Sequence, residues 1–163
     1  MKRLLSIILV FALVSCVAMA QRALMIRHAD GVTDAVSTAA IDSLEFSDDG
    51  LVLKIAGKDG KLVEIGASGI SLSYGEMPAE FTVEYNGTTA SVVNPFLLEG
   101  VTATVAGADV TVNNSNVSTE YSFTLSGETT DGSFLYNGEY KATFVLNGLS
   151  ITSTKGAAID IEC

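Results

Sequence analysis

Tryptophan is absent from this chain, histidine occurs once, and proline and cysteine occur twice each. Each scarcity removes a class of chemistry. A lone histidine, His28 in Arg27-His28-Ala29-Asp30, cannot build a multi-histidine zinc site, and its place beside a turn predicts a solvent-facing side chain. One cysteine, Cys16, lies in the apolar N-terminal run and the other, Cys163, is the last residue, so a chain trimmed of that run has no internal disulfide. Basic residues are few, with 9 Lys and Arg against 19 Asp and Glu and a net charge of −10, and beyond Lys2-Arg3 they never cluster. Such a surface repels nucleic acid and anionic membranes, so nucleic acid is not expected as a partner. Without Trp, the side chain best suited to stacking on sugar rings is also missing.

What is present begins with Lys2-Arg3, an apolar run over 4–17, and the small-x-small triplet Ala18-Met19-Ala20. This is the pattern of an export signal over 1–20, with cleavage after Ala20, and the run is short for a membrane span. Leu13-Val14-Ser15-Cys16 also matches a lipoprotein signal, in which Cys16 would carry a lipid anchor. The Ala-x-Ala site is the cleaner of the two, so a secreted or cell-surface protein is expected.

Beyond the signal the chain alternates apolar and polar residues with period two. Segments 24–27, 41–46, 51–55, 61–65, 81–85, 101–105, 109–112, 121–125, 133–136 and 142–146 are rich in Val, Ile, Thr, Tyr and Phe. Between them stand turn signals such as Asp30-Gly31, Gly57-Lys58-Asp59-Gly60 and Asn86-Gly87. The expected fold is all-β, a meander or sandwich-like N-terminal part over 21–78, closed at Gly75-Glu76-Met77-Pro78, and a second part over 79–163. An echo links the two ends of the first part. Asp30-Gly31 followed by Ser43-Leu44-Glu45-Phe46 recurs as Asp59-Gly60 followed by Ser71-Leu72-Ser73-Tyr74, although two copies fall short of a repeat array and chance would also produce them.

Toward the C-terminus short strands are predicted to be joined by tight turns at Asn147-Gly148 and Lys155-Gly156, with Leu146, Leu149, Ile151, Ile159 and Ile161 as aliphatics that could stack between successive coils. An ordinary hairpin fits the same residues. In a solenoid, Asn side chains at corresponding corners can bond one another in a ladder.

Residues 81–163 carry FTVEYNGTTASVVNP, GVTATVAGADVTVNNSN, TLSGETTDGSF at 124–134 and LNGLSITSTKGAAIDI at 146–161. In this order they resemble the opening of a family of exported bacterial carbohydrate-binding proteins, which folds as a right-handed parallel β-helix similar to pectate lyases. The stretch ALMIRHADGVTDAVSTAAIDSLEFSDDG is similar to short β-segments that precede surface domains in other exported bacterial proteins. The resemblance implies a non-catalytic, calcium-associated module that binds acidic or cellulosic polysaccharide at the cell surface, mostly on later coils. It implies too that the chain stops after the first coil. No family site residue maps onto this sequence, so carbohydrate and calcium ligands stay unassigned.

The residues themselves offer little catalytic machinery. Asp48-Asp49 reads as a turn, and Asp160 and Glu162 flank an inward Ile161 and so face outward. Lys155, the cation available as a lyase base, reads as a turn residue. Tyr121, Phe134, Tyr136 and Tyr140 could form a sugar platform, but alternation sends at least two of them into the core. A structural or adhesive surface β-protein is the alternative reading, and a polysaccharide lyase would need residues beyond 163.

Overall fold

The computed structural model describes residues 21–162, so the expected export signal with Ala20 and Cys16, and the terminal Cys163, lie outside the described residues. All fourteen regular elements within them are strands.

The first six strands form two similar units. β1 (Arg22–Arg27) and β2 (Val32–Ser37) make a hairpin about Asp30-Gly31, followed by β3 (Ile41–Phe46). β4 (Val52–Gly57) and β5 (Leu62–Gly66) make a second hairpin about Asp59-Gly60, followed by β6 (Ser71–Glu76). Each third strand leaves its own hairpin and pairs antiparallel with the other: β6 joins β1, with Leu72 opposite Ile26 and Tyr74 opposite Leu24. In the same way β3 joins β4, with Leu44 opposite Ile55 and Phe46 opposite Leu53. The echo in the sequence is therefore a structural repeat with exchanged third strands. The short segment from Thr33 to Ala40, whose spacing is ambiguous in the sequence, belongs mostly to β2.

The second part begins with two more hairpins, β7 (Phe81–Asn86) with β8 (Thr89–Asn94) and β9 (Val101–Ala106) with β10 (Asp109–Asn114). The pairing then becomes parallel. β11 (Tyr121–Thr129) lies beside β7, and β13 (Ala142–Ile151) beside β11. In a second sheet β12 (Ser133–Gly138) lies beside β10, and β14 (Ile159–Glu162) beside β12. The chain passes from one sheet to the other and back, so each pass stacks a rung on the last. Asn147-Gly148 is not the expected turn. β13 runs through it, and Gly148, at φ +67°, supports a register shift against β11. Opposite, Gly127 also has positive φ, and any side chain there would strike the Tyr85 backbone, so only glycine lets β11 pass.

The largest sheet has the order β13-β11-β7-β8-β2-β1-β6 and holds strands from both sides of Pro78. One face of it carries both cores. The β9-β10-β12-β14 sheet covers one end, burying Val83, Val92, Leu125, Val110, Val112 and Tyr136. The β3-β4-β5 sheet covers the other, burying Leu24, Ile26, Val36, Leu53, Ile55 and Ile65. Phe81, Phe123 and Phe144 stand in register across β7, β11 and β13, with ring centroids 5.0 and 5.5 Å apart, and Tyr136 approaches Phe123 edge-on at 5.2 Å. Such aromatic pairs add about 0.5–1.5 kcal/mol each beyond the area they bury.

Candidate functional site

The parallel rungs place like residues in rows. Asn113, Asn137 and Glu162 are in register near the carboxyl ends of β10, β12 and β14, and alternation turns this row outward while Val112 and Tyr136 turn inward; Ile161, expected inward, is left 46% exposed on the edge strand β14. Asn137 Nδ2 donates to Asn113 Oδ1 at 3.0 Å, a side-chain ladder between rungs. Beside it Asn114 Nδ2 donates to the buried Tyr136 hydroxyl at 2.9 Å, and Ser115 Oγ donates to the Gly100 carbonyl at 3.0 Å. Gly138 keeps the floor open, because a side chain there would meet that same Tyr136 hydroxyl. With Glu139, these residues line a groove of about 570 Å³, within the range of small-ligand sites. Its charged side chains, Glu139 and Glu162, are both acids and are the residues best placed to take a hard cation. Among the described residues, however, no three His, Cys, Asp or Glu side chains gather in metal-binding geometry.

At the opposite ends of these strands the rungs are joined by ions. Asp109 accepts from Ser133 Oγ at 2.8 Å and from Lys155 Nζ at 2.6 Å, so one ion pair ties the first rung to the loop of the third. Asp131 accepts from the Thr154 backbone N–H at 3.1 Å and its hydroxyl at 2.7 Å. Lys155 holds the Asp109 carboxyl below the usual range, and Asp109 in turn raises the lysine's pKa. An amine kept protonated in this way is a poor base.

A third cluster lies where the two cores meet. Asp34 on β2 and Asn94 on β8 are register partners across the parallel pair, both buried. Asn94 Nδ2 donates to Asp34 Oδ1 at 2.7 Å and to the Val101 carbonyl at 2.9 Å, and its Oδ1 accepts from the Phe96 N–H. The other Asp34 oxygen is 2.8 Å from His28 Nε2. His28 is thus packed against a carboxylate rather than facing solvent, and that hydrogen bond raises its pKa despite the opposing cost of burial. Among the described residues no hydroxyl or thiol bonds to His28, so the pair has no nucleophile to activate.

The other residues singled out in the sequence are dispersed. Tyr121, Phe134 and Tyr136 are buried, and Tyr140 is half-buried, so these four form no exposed platform. Asp49 closes its turn by accepting from Ser47 Oγ and the Leu51 N–H, which lowers its pKa. Asp160 and Glu162 do face outward. The ladder residues Asn113 and Asn137 were not singled out. Their signal was the matched ending of two strands, Val112-Asn113-Asn114 and Tyr136-Asn137-Gly138, each an inward residue followed by an outward Asn.

The chain matches no family model, no curated protein and no solved structure. Among the described residues no helix is long and apolar enough to cross a membrane.

Proposed function

We propose that this is an exported, non-catalytic polysaccharide-binding protein of the bacterial cell surface, whose parallel rungs are coils of a right-handed β-helix. The observation that carries this reading is the groove at the carboxyl ends of β10, β12 and β14, walled by an amide ladder and two acids. Amides and carboxylates on a preformed surface suit sugar hydroxyls, and the donors of Asn114 and Ser115 are already tied down by the fold. The protonated state of Lys155 argues against proton abstraction, hence against a lyase. Glu139 and Glu162 supply the oxygens through which calcium would join the site. By the resemblance of 81–163, the ligands to try first are pectin and cellulose.

The test is retention of the full chain on these polymers, with and without a chelator. Binding that falls on Asn137→Ala supports the reading, and no retention on any acidic, neutral or basic glycan sinks it.

A structural or adhesive role is favoured by a separate observation, the exposed Leu72 and Tyr74 on the edge strand β6. Capture by a partner protein that soluble polysaccharide does not compete away would support that role instead.

A further inference from the structure

Resting on the polysaccharide reading, we propose that the groove selects amino-sugar glycans, polymers whose rings carry a protonated amine, over uronates and plain glucans. Because Asn137 donates to Asn113, its own carbonyl oxygen is left on the side of Glu162, its register partner on the next rung. Acceptor therefore meets acceptor between those two rungs, and whatever bridges them must donate. Glu139 adds a second carboxylate to the same groove, and the lining contains no Lys, Arg or His. Among the described residues neither glutamate accepts a hydrogen bond or pairs with a cation, unlike Asp109, which Lys155 already neutralises.

A ring ammonium brings three donors and a positive charge to that gap, and the neighbouring hydroxyls can accept from the uncommitted amide hydrogens of Asn113. A uronate brings a carboxylate to a wall of carboxylates, and like charges brought together disfavour the wrong ligand. A plain glucan lacks the charge and gains only the hydroxyl bonds.

The experiment titrates the full chain with deacetylated glucosamine, glucose and galacturonate oligomers of one length, in chelator and below the pKa of the sugar amine. The glucosamine oligomer should bind tightest, weaken as salt rises, and lose its advantage when N-acetylated. Glu139→Gln and Glu162→Gln should each weaken it about two- to five-fold, the size of an exposed ion pair, and leave glucose-oligomer binding unchanged. Glu45→Gln, the same charge change on the distant β3, should have no effect. Equal binding of glucosamine and glucose oligomers, equal or tighter binding of galacturonate, indifference to the two groove substitutions, or an equal effect of Glu45→Gln overturns the selectivity and leaves polysaccharide binding standing. Failure of all three sugars to bind overturns both.

Discussion

The two hairpin-plus-strand units of the N-terminal part share three buried apolar positions and differ at a fourth on the same face, which Asp34 holds in the first unit. Leu24, Ile26 and Val36 of the first correspond to Leu53, Ile55 and Ile65 of the second, all buried, and the exchanged strands bring Leu72 and Tyr74 to one unit and Leu44 and Phe46 to the other. Opposite Ile26, however, stands Asp34, whereas opposite Ile55 stands Val63. The reason is what lies on the far side. β2 is paired through Val32, Thr33 and Asp34 with β8, while β5 is a sheet edge. A buried carboxylate is tolerable in the first unit because Asn94 and His28 satisfy it there, and nothing equivalent flanks Val63. The comparison teaches that the buried polar residue stands where the first unit pairs with the rest of the sheet.

The largest effect tests the shared code. Ile26→Ala and Ile55→Ala each delete a fully buried side chain and should each cost about 2–5 kcal/mol in urea denaturation of the full chain. Similar costs are expected. A loss below about 1 kcal/mol for Ile55→Ala alone would mean that the three-stranded sheet is not an equal partner in that core.

Next comes the difference itself. Asp34→Val makes the first unit like the second, but takes from Asn94 one of its two Nδ2 acceptors and from the His28 ring the one hydrogen-bond partner it has among the described residues. The expected cost is about 1–3 kcal/mol. Because Asp34 and Asn94 act as one network, the double change Asp34→Val with Asn94→Val should fall short of the sum of the singles by about 0.5–3 kcal/mol. Strict additivity would break the claim that the pair is a single joint.

These contrasts also explain how much of the molecule was legible in its sequence. Alternation and Asn-Gly or Asp-Gly turns reveal strands and hairpins because both are local, and β1–β2, β4–β5 and β7–β8 fall where those signals stand. Strand exchange between the two units is not local, and the echo alone could not distinguish it from chance. Asn147-Gly148 misled because glycine with positive φ serves a bulge as readily as a turn, and only the continuation of β11 beside it decides which. The groove was the least legible part. Asn113, Asn137 and Glu162 meet only through the parallel register of β10, β12 and β14, which no local pattern announces.

A smaller effect separates the units by pH. His28 has a folded-state pKa above its ordinary value of 6.5, so its contribution is complete below that value and is lost as pH rises through the folded pKa. Stability measured at pH 6 and pH 8 should therefore fall across that window. His28→Gln should flatten this part of the profile. A profile unchanged by that substitution would show that the charge on His28 does not hold the joint.

The smallest effect concerns the two exposed rims. Phe46 and Tyr74 occupy equivalent positions on β3 and β6 and face the same core, yet they remain 52% and 71% exposed. Area left in water stabilises nothing, so Tyr74→Ser should change stability by no more than about 0.5 kcal/mol and Phe46→Ser by slightly more. What the two rings should affect is association. Each lies on an edge strand with free backbone groups, and exposed apolar edges template pairing between chains. If light scattering of the double variant shows less self-association at unchanged stability, the rims are interaction surfaces shared by both units. If stability falls by several kcal/mol instead, the rings are structural and the likeness of the two units extends to their edges as well as their centres.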